Sequence, residues 1–424
     1  AGYEVRCVDA IGEAPLQRIA TEDNKYLYYG LSIKEILQHL AFKEFNVLFV
    51  SLMFSHDWPM TKSFIKTIKK IYPEITMVCG GEHISACPKF SMEDCPEIDI
   101  CVLGEGEETS IDILRTIEQK KSLSKVNGIV YRSGEEIIIN PRRSRISQLD
   151  DIPLPAWDLF PLENYLSNNL GYGVNPGRTM PMLISRGCPF QCTFCSSPQM
   201  WTTKWQARDP DCVIEEMQFY IDKYKATNFD FYDLTAIVRK DWIIKFCQKI
   251  IKKNWNITWQ MPSGTRSEAL DDETLGLMML SGQKHISYAP ESASKTTLQK
   301  IKKKIKIENM KKSIRSALSK GISVKLNLML GFPDETHKEM LETLRFVIDA
   351  AFMGVSDVYL ASFAPYPGSE LFDQMYKNGQ IPKLDDEYFL NLTSYTDLLH
   401  SYSYSRHVGH HMLSVYRIGG MSMF

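Results

Sequence analysis

Apolar residues in this chain fall into short runs, each closed by a polar or glycine turn and followed by an amphipathic stretch. Residues 45–52 (FNVLFVSL) suit a strand covered on both faces. Residues 61–72 then place Phe64, Ile65, Ile68 and Ile71 on one side of a helix. Residues 75–79 (ITMVC) predict a second buried strand that stops at Gly80 and Gly81. Residues 98–103 predict a third, stopping at Gly104, Glu105, Gly106 and Glu107. Strand, turn and helix in repetition predict an α/β fold, here a Rossmann-like, doubly wound parallel sheet. Ligands of such sheets lie at the carboxyl ends of the strands, where these turns fall. Glycine there lets backbone approach a ligand closely.

Residues 127–140 (NGIVYRSGEEIIIN) read as a hairpin turning at Ser133 and Gly134, and residues 150–161 (DDIPLPAWDLFP) as a Pro-rich connector. The alternation resumes at Met180. Strands are expected over 181–185, 228–232, 257–260, 285–289, 323–330 and 355–363, with helices such as 213–224 and 339–350 between them. Parallel βα units of this size predict a partial (β/α)6 TIM-type barrel with its site at the strand carboxyl ends. The expected division is a Rossmann-like domain over 1–125, a hairpin and linker over 126–175, a barrel over 176–375 starting near Pro176, and a C-terminal extension over 376–424.

Composition adds mainly exclusions. The 424 residues, 44% apolar and 24% charged, can bury large cores without disulfides or metals. A formal net charge of −2 gives no electrostatic case for nucleic acid. Lys300, Lys302, Lys303, Lys304 and Lys306, interleaved with Ile301, Ile305 and Ile307, read as a helix with a solvated basic face. No run of roughly 18 apolar residues predicts a transmembrane helix. No signal-peptide pattern is visible, so a cytoplasmic location is expected. Cys7, Cys79, Cys87, Cys95, Cys101, Cys212 and Cys247 are scattered, which suits small buried hydrophobes in a reducing compartment rather than a disulfide framework.

The other cysteines are not scattered. Gly187-Cys188-Pro189-Phe190-Gln191-Cys192-Thr193-Phe194-Cys195 directly follows the first strand of the second domain. Three thiolates in one short loop can hold three irons of a [4Fe-4S] cluster and leave the fourth iron open. The competing readings are a zinc knot with Cys212 as fourth ligand and inert buried cysteines. Structural zinc sites use paired C-x2-4-C units, so this spacing fits the cluster better.

Residues 185–195 (SRGCPFQCTFC) resemble the signature of the radical S-adenosylmethionine (SAM) superfamily. Residues 288–292 (YAPES) resemble its fourth-strand motif, whose carboxylate, here Glu291, contacts SAM. Residues 330–336 (LGFPDET) resemble the motif after the fifth strand, and 365–369 (PYPGS) the loop after the sixth. The matches run from about Met180 to Met375. This resemblance implies that SAM chelates the open iron, with Phe194 near the adenine. It implies reductive cleavage to a 5′-deoxyadenosyl radical, with the electron supplied by a donor such as a flavodoxin or ferredoxin. Ser263 and Arg266 stand where the family often places polar SAM contacts; ordinary loop roles are the alternative. One departure concerns the second strand. Many members carry a run of acids at its end, and residues 231–235 (FYDLT) offer only Asp233. Asp233 either aims at SAM or substrate or is a loop or helix-capping acid.

Gly80-Gly81-Glu82-His83 and Gly104-Glu105-Gly106-Glu107 resemble the cobalamin-binding domain that precedes the barrel in one radical SAM subfamily. That subfamily includes methyltransferases, porphyrin-forming cyclases and lipid-tailoring enzymes. The resemblance implies corrin contacts from Gly80, Gly81, Gly104, Glu105, Gly106 and His83. The Asp-x-His-x-x-Gly motif that supplies a histidine to cobalt elsewhere is absent, and residues 55–58 (SHDW) do not fit it. A corrin-free structural domain would need the same glycines. Residues 1–5 (AGYEV) read as the end of a first helix and a second strand, so the opening strand of that domain is expected to be missing; 419–424 (GGMSMF) also end abruptly. His400, His407, His410 and His411 read as surface histidines.

The expected function is methylation of an unactivated carbon on a small or lipid-like substrate. Oxidative ring closure is the alternative. A different class, a non-catalytic corrinoid or metal sensor, would be marked by zinc without iron or sulfide. Trp201, Trp205, Trp259 and Tyr366 would line an aromatic or lipid pocket or be ordinary packing.

Overall fold

The structure is a computed structural model that describes every residue except 1, 22–23, 41–44, 172, 175–176, 382 and 400, so Pro176 and His400 lie outside the described residues. The chain forms two compact units. One comprises Ala1–Ser147, Leu154–Asn168 and Tyr376–Leu390; the other comprises Gln148–Pro153, Asn169–Met375 and Asn391–Phe424. The segment expected as one C-terminal extension is therefore divided between the two.

The first unit holds a five-stranded sheet of β1 (Val47–Ser51), β2 (Thr76–Gly80), β3 (Ile100–Val102), β4 (Ile129–Ser133) and β5 (Glu136–Ile139), in that spatial order. β1, β2 and β3 are parallel, whereas β4 and β5 run antiparallel. The sheet is thus mixed rather than wholly parallel. The hairpin expected in the linker is its far edge. It belongs there because Ile129, Val130 and Tyr131 are apolar and buried, so they need a covered face that a solvated connector would not provide. Val78, Ile100, Val102, Ile113, Val126, Ile129 and Tyr131 form the core. Each such side chain contributes about 1.5–3 kcal/mol by burial. Residues 2–9 contain no strand.

The second unit holds β6 (Thr179–Met182), β7 (Asn228–Phe231), β8 (Thr258–Thr265), β9 (Gln283–Glu291), β10 (Ser323–Leu330) and β11 (Asp357–Ser362), all parallel and adjacent in chain order. β6 and β11 are the two edges, so the sheet is an open, partial barrel. Helices such as Pro210–Tyr224, Lys240–Lys253 and His337–Met353 connect the strands. β10 shows why the sequence makes a strand here. Val324, Leu326, Leu328 and Leu330 are buried, and Ser323, Lys325, Asn327 and Met329 alternate with them. Trp259, for which pocket wall and ordinary packing were the two readings, is core. It is fully buried with its ring 5.4 Å from Phe231 and 5.5 Å from Phe246, and its Nε1 donates to the Ser281 carbonyl.

The basic helix expected around residue 303 does not form. One helix ends at Lys300 and another starts at Ile307. Lys302 between them has φ +54°, in the left-handed region that breaks a helix. Lys303 is buried, not solvated.

Candidate active site

The cysteine loop leaves the carboxyl end of β6 and is tied down by its neighbours. The Asp233 carboxylate, just beyond β7, accepts from the Ile184 amide at 3.1 Å and from the Ser185 hydroxyl at 2.6 Å. Asp233 is fully enclosed, and burial pushes its carboxyl up to about 6. It therefore fixes the start of the cysteine loop, with its partners just beyond β6. Two residues on, the Thr235 hydroxyl lies 3.3 Å from the Cys188 sulfur.

Further along the loop, the Thr193 amide donates to the Ile301 carbonyl at 3.1 Å, and the Leu371 amide donates to the Thr193 carbonyl at 2.8 Å. Both backbone groups of one residue are thus held by different segments. Phe194 packs its ring 5.9 Å from Phe332, which packs 5.1 Å from Phe363. This joins the cysteine loop to the turn after β10. In that turn, Glu335 accepts from the amides of Gly331 at 2.8 Å and Phe332 at 3.3 Å, and burial pushes its carboxyl up to about 7. In the 365–369 loop, Ser369 caps the helix Glu370–Lys377 by accepting from the Phe372 amide at 3.2 Å.

Cys188, Cys192 and Cys195 are in no disulfide and are half-buried. Among the described residues, no three His, Cys, Asp or Glu side chains converge closely enough to hold one metal ion. A zinc knot requires such convergence on a point. A [4Fe-4S] cluster does not, because its three thiolates bind three separate irons. The Thr193 hydroxyl, between the last two cysteines, is buried without a partner. Such an atom is satisfied when a bound group supplies acceptors. The donor set and this hydroxyl fit a cluster.

Glu291 ends β9 at φ +66°, unusual for a residue with a side chain, and is nearly buried. Its Oε1 accepts from the Lys303 ammonium at 2.9 Å. Arg266, expected as a SAM contact, is engaged with protein. It lies 3.6 Å over the Phe190 ring in the cysteine loop, pairs with Glu268 at 2.6 Å and donates to the Lys304 carbonyl. Ser263 is exposed on β8. Lys303 was missed by sequence reasoning. Its partner Glu291 lies twelve residues earlier with a helix between, and Lys303 is hidden among like residues.

In the first unit the turns at the ends of β2 and β3 are present, but their side chains are occupied. Gly81 has φ +102°, and a Cβ there would lie 2.2 Å from the Leu52 carbonyl. His83 is buried, with Nδ1 3.0 Å from the Ser55 hydroxyl and its ring stacked 5.0 Å from Trp58. Burial lowers its pKa to about 3. His83 is therefore hydrogen-bonded and packed within the first unit. Glu105 accepts from the Ile146 amide at 2.9 Å and lies 3.6 Å from Arg145. Gly104 donates its amide to the Ser85 hydroxyl at 2.9 Å. A Cβ at Gly80 or Gly106 would make only ordinary contacts, 3.7 Å from the Val102 side chain and 3.8 Å from the Ser110 hydroxyl, so backbone there can be approached closely. Of the tail histidines, His410 accepts from the Ser403 amide at 3.0 Å and is exposed.

Comparison with known proteins agrees with this layout. The radical SAM superfamily family matches residues 182–347, and the B12 binding domain family matches residues 8–114. An uncharacterized methyltransferase of Pyrococcus horikoshii is 29% identical, over 74% of this chain and 66% of that protein. Cytidylyl-2-hydroxyethylphosphonate methyltransferase of Streptomyces wedmorensis is 28% identical, over 89% and 76%. Anaerobic magnesium-protoporphyrin IX monomethyl ester cyclase of Rubrivivax gelatinosus is 26% identical, over 73% and 55%. The chain thus spans between about half and three quarters of the length of these relatives. The fold is shared with the radical SAM methyltransferase TsrM of Kitasatospora setae (TM-score 0.65, 14% identity, 82% of this chain and 68% of that one). It is shared also with the cobalamin-dependent radical enzyme OxsB (TM-score 0.71, 16% identity, 87% and 60%). The chain thus carries a radical SAM domain over residues 182–347, which holds the cysteine loop, preceded by a B12 binding domain over residues 8–114, which holds the strand-ending glycine turns.

Proposed function

We propose that this chain is a cobalamin-dependent enzyme that cleaves SAM and methylates an unactivated carbon of a small or lipid-like molecule. The observation that carries the reading is the loop of Cys188, Cys192 and Cys195 beyond the first strand of the partial barrel, its cysteines half-buried and in no disulfide. These residues would hold the [4Fe-4S] cluster; it would supply the electron that cleaves SAM to a 5′-deoxyadenosyl radical, and cobalamin would supply the methyl group. The protein's part is positioning. Asp233 and Thr193 fix the loop backbone, Phe194 offers a face to the adenine, and Glu291 offers a carboxylate to the ribose or amino group of SAM. Strand-end loops exclude water and so shield a reactive carbon radical. A flavodoxin- or ferredoxin-type donor would supply the electron. A reducing, cytoplasmic setting suits an exposed cluster and free thiols. Among the described residues no helix is long and apolar enough to cross a membrane.

The test is anaerobic reconstitution with iron, sulfide and cobalamin. Brown protein that forms 5′-deoxyadenosine from SAM and reductant, and transfers a labelled methyl group, is expected. A colourless protein with zinc and no sulfide removes the reading and favours a sensor. Oxidative ring closure is the second reading, favoured by the identity to the porphyrin ester cyclase. Deoxyadenosine formed without methyl transfer would select it.

A further inference from the structure

The six parallel strands of the second unit carry two unlike faces. Phe231 and Trp259 turn to the helix Lys240–Lys253, where Phe246 packs 5.7 Å and 5.5 Å from them. Tyr288 turns to the helix Ile307–Ser319, its hydroxyl 2.8 Å from that of Ser313. Alternation along the strands puts their neighbours on the opposite, inward face. An ordinary barrel fills that face with branched apolar side chains. This one carries polar groups there. Asp230 on β7 stands in register with Gln260 on β8, and Gln260 with His285 on β9. Further up, Ser287 on β9 is in register with Lys325 on β10. Above these, Asn327 on β10 is in register with Tyr359 on β11. On β10 and β11 apolar residues return at Met329 and Ala361, nearer the carboxyl ends.

Most of this layer is satisfied by protein. Gln260 Nε2 donates to Asp230 at 2.7 Å, and His285 Nε2 lies 3.2 Å from the Ser287 hydroxyl. Lys325 pairs with Asp357 at 2.8 Å, and the Tyr359 hydroxyl donates to the Tyr395 carbonyl at 3.1 Å. Asn327 is the exception. It is half-buried, and its side chain makes no hydrogen bond among the described residues. Its neighbours leave room rather than offer a partner. Gly264 has φ +82°, and a Cβ there would stand 3.5 Å from Asn327 Nδ2 and 3.0 Å from the Ala289 Cβ. A side-chain amide offers two donors and an acceptor. Covered by hydrocarbon, it loses the hydrogen bonds that water gave it and gains none.

We infer that the inward face around Asn327 is the floor on which the barrel reads its substrate, and that it takes a water-soluble molecule through a hydroxyl or amide group rather than a lipid. This narrows the substrate class of the function proposed above and rests on that reading. A hydroxyl or amide of the ligand both gives and takes a hydrogen bond, as the Asn327 amide does. A hydrocarbon chain would bury the same amide unpaired. A site built to pair a polar group rejects molecules lacking it far more strongly than an apolar pocket rejects a misfit. The small residues Gly264 and Ala289 keep the approach to the amide open.

The experiment uses the reconstituted protein with SAM and no reductant, so nothing turns over. It is mixed with a panel of sugars, amino acids and nucleosides beside fatty acids and isoprenoids. Retained compounds are measured by ultrafiltration and mass spectrometry. Wild type is expected to retain water-soluble members of the panel. Asn327→Leu is expected to bind those same members at least about tenfold more weakly, the scale of one lost hydrogen bond to a ligand. The variant is expected to keep the wild-type urea midpoint, because the amide has no protein partner to lose. Should leucine lower the midpoint, Asn327→Ala takes its place in the binding comparison. Binding by the variant within twofold of wild type overturns the inference, and so does a wild type that retains only lipids or nothing from the panel. Wild type that takes up no iron sinks the proposed function and this inference together, whereas wild type with iron that fails the retention test sinks this inference alone.

Discussion

The glycine turns of the first unit and the cysteine loop of the second both sit at carboxyl ends of parallel strands, yet they differ in what their residues already do. Around the turns, the fold itself accounts for most of the sequence. Leu52 backbone demands a glycine at Gly81, Ser55 and Trp58 satisfy His83, and Arg145 engages Glu105. In the cysteine loop the reverse holds. Asp233, the Thr193 backbone and Arg266 place the loop, and the three cysteines they place are in no disulfide. A motif explained by its own packing is weak evidence for a ligand. A motif that packing positions but does not consume is strong evidence.

The largest expected effect tests the second half of that contrast. Cys192→Ala should abolish iron uptake and reduce SAM cleavage by roughly a thousandfold or more, while changing folding stability by less than about 1 kcal/mol. Iron and sulfide assays with urea unfolding check both arms. A large loss of stability would mean that the thiol is packing, and the contrast would collapse.

Gly81→Ala tests the first half. With φ +102° and a Cβ 2.2 Å from the Leu52 carbonyl, alanine should destabilise the first unit by on the order of 3–5 kcal/mol. Segment-resolved hydrogen exchange would show the loss in β1 and β2. Normal protection combined with lost cobalamin binding would return Gly81 to the role its motif implies.

How much of this was legible depends on whether the cause was local. β10 was read residue for residue, because alternation along one strand is a local signal. The cysteine loop was legible because its spacing lies within eight residues. The partners of Asp233 and Lys303 were not. Asp233 bonds Ser185, 48 positions away, and Lys303 meets Glu291 only because Lys302 turns into left-handed backbone. The mixed hairpin edge was missed for a similar reason. Its strands were read, but pairing between β3 and β4 is a tertiary choice.

The two units should also respond oppositely to pH. His83 has a folded-state pKa of about 3 against its ordinary 6.5, because of burial. The folded first unit binds fewer protons than the unfolded chain in that window. Its stability is full above about 6.5 and falls as pH drops towards 3. Glu335 has a folded-state pKa of about 7 against 4.5, also through burial first. Its contribution is full below 4.5 and is lost as pH rises through 7. The full effect is on the order of 5 kcal/mol for His83 and 3 kcal/mol for Glu335. Hydrogen exchange at pH 5 and 8, corrected for intrinsic rates, should show β2 gaining protection and β10 losing it as pH rises. Glu335→Gln should flatten the second trend alone.

The smallest effect isolates the corrin question from the fold. Gly106 differs from Gly81 in every structural respect. Its backbone is ordinary, at φ −91°, and the nearest atom to a built Cβ is the Ser110 hydroxyl at 3.8 Å. Folding does not require glycine there, so Gly106→Ala should cost at most about 1 kcal/mol, the scale of a weakened helix N-cap. A cofactor lying against the backbone would require it, since a methyl group would hold the corrin off. Titration of the purified variant with hydroxocobalamin, followed by its visible spectrum, separates the two. Weaker binding with an unchanged urea midpoint would show that the turn after β3 keeps its glycine for a ligand, in contrast to the turn after β2. Equal binding would leave both turns accounted for by packing, and the corrin would have to be held elsewhere in the first unit.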